Sequence, residues 1–133
     1  YLYDPYAPRE YILRQNVEIK SSDVEKITSI AKNTQKIIDQ GVIFSTNSLE
    51  YYYSKLPELR ISLLSEAVKD AKLRAEQIAK GSGREIRSIK SATSGVVQVL
   101  PVYSTEISDY GAYDTSTIEK EVMVTVSVVF TLK

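Results

Sequence analysis

The chain has no cysteine and no histidine. Thiol catalysis, Ser-His-Asp and Cys-His chemistry, and zinc sites built on thiolate or imidazole are therefore excluded. It also lacks an excess of either charge, with 17 basic residues against 17 acidic ones and no long block of one sign. That balance argues against a nucleic-acid or anionic-membrane surface. No apolar run reaches the roughly 18 residues a membrane span needs. Without cysteine, neither a disulfide framework nor a reactive thiol points to a compartment. No signal peptide is present and the chain opens on Tyr1 instead of methionine, which reads as a processed form or a fragment, with any targeting or anchoring segment lying upstream. Its length suits one domain with a real core.

What the chain does have is a run of helix-forming residues from Leu59 to Gly83 in which Ala67, Ala71, Ala75 and Ala79 recur every four positions. Side chains four apart stack on one helix face, and alanine combines high helix propensity with little bulk, so this helix can lie close against a sheet or another helix. At about 100° per residue, Leu63, Leu64, Ala67, Val68, Ala71, Ala75 and Ile78 form one apolar arc opposite Glu58, Lys69, Glu76 and Lys80. Arg74 falls on the flank of the arc, one turn after Asp70, where an ion pair can form. Two readings of Arg74 stay open: an arginine with its stem on the core and its head in water, or a subunit-interface arginine. Pro57 suits the first turn of this helix, and Gly81-Ser82-Gly83 suits its left-handed cap and a turn. The glycine pair leaves a helix and enters a strand, so it is not a phosphate loop.

Residues 1–10 are rich in tyrosine and carry Pro5 and Pro8, and they read as an irregular arm in which Tyr1, Tyr3 and Tyr6 either anchor on the domain or stack on a ligand. Residues 11–20 alternate, with Tyr11, Leu13, Val17 and Ile19 on one side and Arg14, Asn16, Glu18 and Lys20 on the other, as in a half-buried strand; Gln15 is the misfit. Ser21, Ser22 and Asp23 offer N-cap chemistry to an amphipathic helix that carries Val24, Ile27, Ala31, Thr34 and Ile38 and ends at Gly41. Residues 42–53 favour a long, imperfect strand with a bulge or register change at Thr46-Asn47-Ser48. Tyr51, Tyr52 and Tyr53 cannot all face one way, so at least one is expected to be exposed, at an interface or on an aromatic ligand platform.

After the alanine helix, residues 85–92 and 96–102 read as two strands parted by Thr93-Ser94-Gly95, with Pro101 at a strand end or edge. The polar stretch 104–117 holds Glu106, Asp109, Tyr110, Tyr113 and Asp114. It is the one candidate functional loop, read as a hairpin or oligomer contact. Its acids lack the spacing of a calcium loop, so no metal or other cofactor is expected. Carboxylate pairs such as Asp109 and Asp114 could in principle serve acid-base hydrolysis, but on a surface loop they are ordinarily solvated. The strongest strand comes last: Val122, Val124, Val126, Val128, Phe130 and Leu132 alternate with Met123, Thr125, Ser127 and Thr131.

The pattern A-x3-A-x2-R-A-x3-A, on Ala67, Ala71, Arg74, Ala75 and Ala79, resembles the SIMPL domain family of bacterial envelope proteins. Gly41-Val42, the valine-rich last strand and its approach Ile118-Glu119-Lys120-Glu121-Val122 support the resemblance, which runs from about residue 11 to residue 133. The family's usual Pro-Gly before the last strand is absent here, and the family's first strand and helix would precede Tyr1. The resemblance implies a periplasmic or membrane-anchored extracytoplasmic protein linked to stress tolerance, in a family with a ring-forming member and no established biochemical activity. It carries over no catalytic residue.

The expected fold is α+β, with a mainly antiparallel sheet of about four strands, two helices on one face, and the order β-α-β-α-β-β, in a single domain over residues 11–133. The expected function is that of a non-enzymatic envelope protein that assembles as a homo-oligomer. An open sheet edge left by a missing first strand would drive the association, with Asp70, Arg74, Asp109, Tyr110, Tyr113 and Asp114 as candidate interaction residues. Alternatively, residues 1–10 cover that edge. The competing function is a small-ligand or peptide binder built on Tyr51, Tyr52, Tyr53, Tyr110 and Tyr113; an enzyme is the third reading.

Overall fold

The computed structural model describes residues 5–133. The expected roles of Tyr1 and Tyr3 lie outside the described residues, while Tyr6 stands exposed. The chain divides into two compact units, one ending at Phe44 and the other Ser45–Lys133.

In the first unit, residues 11–20 form no strand, and Tyr11, Leu13, Val17 and Ile19 are all exposed, Leu13 to 97%. Alternation only makes a segment fit for a sheet; a ladder of partner N–H and C=O groups is what makes it a strand. Among the described residues no such ladder reaches this segment. The expected single helix is two, α1 (Val24–Lys32) and α2 (Gln35–Ile38). The Asp23 side chain caps α1 by accepting from the Lys26 N–H at 3.0 Å. Asn33 ends it: its amide Nδ2 donates to Ser29 Oγ and its backbone N–H to the Ser29 carbonyl. A short polar side chain bonding locally competes with helix continuation.

The second unit contains α3 (Leu56–Gly81), β1 (Ile86–Pro101), β2 (Ala112–Tyr113) and β3 (Lys120–Leu132). Pro57 lies in the first turn of α3, as its sequence position suggests. At the other end Gly83 takes φ +72°, its N–H bonds the Lys80 carbonyl and the Arg84 N–H bonds the Ala79 carbonyl at 2.9 Å. These are the two bonds of a Schellman cap.

The fold is α+β, but its sheet has three strands in the order β2-β1-β3 and is mixed. β1 runs antiparallel to β3 from Ile86 opposite Leu132 to Pro101 opposite Lys120, and parallel to β2 at Gln98 and Val99. The two strands expected over 85–102 are one, because the break at Thr93-Ser94-Gly95 is absorbed as a bulge: between Ser94 and Val97 β1 spends three steps where β3 spends two, from Val126 to Val124. A Cβ on Gly95 would sit 2.2 Å from Thr125 Oγ1, so glycine is what lets the two backbones close here. Residues 42–53, expected as a strand, carry no ladder; the Tyr51 N–H bonds the Thr115 carbonyl at 2.8 Å and the Tyr53 N–H bonds Tyr113 Oη, which ties their end to β2 and the loop after it.

β3 alternates as expected as far as Phe130, with Val122, Val124, Val126, Val128 and Phe130 half-buried and Glu121, Met123, Thr125, Ser127 and Val129 exposed; at its end the expectation fails, since Leu132 is exposed and Thr131 half-buried. α3 lies chiefly along β3 and also touches β1, covering the valine row. Its half-buried residues Leu59, Leu63, Leu64, Ala67, Val68, Ala71 and Ala75 lead to Ala79, which is only 3% exposed. Ile78, placed in the apolar arc by sequence, is 76% exposed. Each step of four residues advances about 40° around the helix, so over this length the contact line spirals away from the average direction that an arc describes.

Candidate functional site

The most structured polar region is the stretch expected to be a functional loop. A hairpin or an oligomer contact was the expectation; it is no hairpin, because β2 runs parallel to β1 and the chain must travel back before pairing. Pro101 closes β1, Tyr103 takes φ +65°, and the Ser104 N–H bonds the Pro101 carbonyl. Residues 102–111 then lead back toward the level of Gln98, where β2 begins its pairing. There they meet Gln98, which is 4% exposed and donates from Nε2 to the Ser108 carbonyl at 2.8 Å. Gly111, with φ +82°, brings the chain so close to β1 that a Cβ would lie 3.1 Å from the Val97 carbonyl. Val99 and Leu100, next to Gln98 on β1, are buried as well.

Asp114 follows β2 directly, its N–H held by the Val99 carbonyl at 2.7 Å. Its carboxylate accepts from Ser116 N–H and Oγ, from Thr117 N–H and Oγ1, and from Lys120 Nζ at 3.4 Å. The hydroxyl of Ser116, then that of Thr117, holds the carboxyl far below the ordinary carboxylate range. Lys120 Nζ also donates to the Asp114 and Thr117 carbonyls, each at 2.6 Å. A carboxylate whose lone pairs are this fully used closes a turn; it is a poor general base or metal ligand. Asp109 remains exposed on the loop, and among the described residues no cluster of three acids forms that could hold a metal ion.

The tyrosines do converge. The rings of Tyr52 and Tyr113 lie 5.8 Å apart at 38°, and Tyr113 Oη accepts from the Tyr53 N–H at 2.9 Å. Tyr52 Oη donates to Glu50, which raises the phenol's pKa by stabilising its protonated form. Beside Tyr113, a cleft of about 330 Å³ is lined by Leu56, Val97, Val99, Tyr110, Gly111 and Ala112, and Tyr110 projects into solvent at its edge. A smaller cleft of about 270 Å³ includes Ser104, Glu106 and Asp114.

Of the candidate residues, Tyr110, Tyr113 and Asp114 thus share one region. Asp70 and Arg74 form their expected ion pair at 2.8 Å, on the solvent side of α3. Gln98, Lys120 and Glu50 escaped the sequence reading. Lys120 alone left a signal, since Asp114, Ser116, Thr117 and the lysine lie within seven positions.

No curated protein and no solved structure matches the chain significantly. The family model of SIMPL, described as a protein of unknown function (DUF541), matches residues 1–130, and with nearly the whole chain covered, this protein belongs to the SIMPL family.

Proposed function

We propose that this chain is a non-enzymatic extracytoplasmic SIMPL domain that acts by assembling with copies of itself, in an envelope role linked to stress tolerance. The observation that carries the reading is the outer edge of β3. Among the described residues, β3 pairs only with β1, which leaves one side of a thirteen-residue strand offering unpaired N–H and C=O groups. Between residues 122 and 132 the strand has no charge, proline or glycine, the devices that ordinarily blunt an edge. The absence of histidine and cysteine and the full use of Asp114 by its own turn support a non-enzymatic role. The extracytoplasmic placement rests on family membership; in addition, among the described residues no helix is long and apolar enough to cross a membrane. Light scattering across a wide concentration range tests assembly: mass should rise above 15.0 kDa with concentration, and a constant monomer mass throughout overturns the reading.

A second reading is favoured by the Tyr52–Tyr113 pair beside its apolar cleft. Aromatic rings over an apolar floor suit a planar or extended ligand. Titration of tyrosine fluorescence with short aromatic peptides, against Tyr113→Ala, checks it; identical traces for the two proteins would eliminate this site.

A further inference from the structure

Two segments of the chain have complementary deficits. Residues 11–20 carry strand periodicity, stand exposed, and have no backbone ladder among the described residues; β3 has a ladder on one side only. We propose that residues 11–20 of one copy add as a strand to the outer edge of β3 of a second copy, so that assembly proceeds by strand donation. The inference rests on the assembly reading above and names its contact.

The dimensions agree. Ten residues in extended form span about 33 Å, and a strand the length of β3 about 43 Å, at roughly 3.3 Å per residue, so the donor covers most of the edge. The side chains agree as well. With a period of two, Tyr11, Leu13, Val17 and Ile19 can all lie on the face where β3 presents Val122, Val124, Val126, Val128 and Phe130, while Arg14, Asn16, Glu18 and Lys20 fall on the face of Glu121, Thr125 and Ser127. A slip of one residue would place the charges on the valine side and the apolar row in water, so the register is specified by burial. Pairing satisfies the donor's backbone and buries four large apolar side chains at once, which is the logic of β-strand addition. The acceptor is a second copy because every copy carries both halves, a donor and an edge, and head-to-tail use of two different surfaces lets the association continue or close into a ring.

The cysteine-free chain makes the test clean. Two single-cysteine proteins are prepared, Asn16→Cys as donor, and one of Thr125→Cys, Ser127→Cys or Val129→Cys as acceptor. They are mixed and treated with a short bismaleimide, with light scattering on the same samples. The expected result is a donor–acceptor crosslink of twice the monomer mass, strong at one of these positions and weak at Val126→Cys or Val128→Cys on the other face. Val17→Pro, which removes a donor N–H, should weaken association by on the order of tenfold or more. Association without any such crosslink overturns strand donation and leaves the assembly reading standing. In a third protein that carries both cysteines, crosslinking only within the single chain shows the segment on its own edge and also overturns the inference. Monomers throughout overturn both readings.

Discussion

Lys120 and Asp114 lock the turn between β2 and β3. The ammonium, 6% exposed, reaches the Asp114 carbonyl at 2.6 Å and stands 3.4 Å from its carboxylate, which is 17% exposed. A charge so well covered persists only because the surrounding acceptors replace water.

Lys120→Met keeps the length of the stem and removes the donor. Two backbone carbonyls then lose their partner in a half-buried site, a loss of about 1–3 kcal/mol. Denaturant unfolding should show a lower midpoint with an unchanged slope, since the surface exposed on unfolding barely changes. An unaltered midpoint would mean that water replaces the ammonium without cost.

The hydrogen bonds from Ser116 and Thr117 lower the Asp114 pKa on folding from 3.8. A carboxyl whose folded pKa is depressed contributes stability that is present in full above its unfolded value and is lost as pH falls toward the folded one. Thermal midpoints of the wild type and Asp114→Asn should therefore differ most near neutrality and converge as pH drops below about 4. A difference that is constant from pH 7 to pH 2 would show that the ionised form is not what the turn selects.

The spiral contact line of α3 makes neighbouring residues behave oppositely. Ala79→Leu should overpack the site under the sheet and cost about 1–3 kcal/mol, with Ala71→Leu and Ala75→Leu in the same direction. Ile78→Ala, on an exposed position, should change stability by less than about 0.5 kcal/mol. Urea titrations of these four variants discriminate the observed line from the averaged arc.

Gly95 and Thr125 offer a cycle. Gly95→Ala should be destabilising by about 1–3 kcal/mol, because its Cβ meets the Thr125 hydroxyl. In Thr125→Ala that hydroxyl is gone, so the second substitution should recover part of the loss, and the non-additive remainder measures the contact. Strictly additive effects would locate the strain in the β1 bulge instead.

The sequence by itself determined the elements whose signal is local. The alanine ladder, Pro57 and the paired glycines specify α3 and its cap because helix bonds close within a few residues. Asp23 specifies the start of α1 for the same reason, and the alternation of Val122, Val124, Val126 and Val128 specifies which face of β3 turns inward. The exclusion of histidine and cysteine chemistry needed only composition. Tertiary structure decided whatever depends on a partner far along the chain. Residues 11–20 alternate with Gln15 as the one misfit, and β3 alternates too, yet only β3 has β1 beside it, and pairing rather than pattern makes the strand. The parallel course of β2 depends on its pairing with Gln98 and Val99 of β1, and Asp114 and Lys120, close in sequence, became a turn lock because the fold leaves little exposure to either side chain. Local chemistry sets what a segment can do; the desolvated contacts between distant segments set which of those options is used.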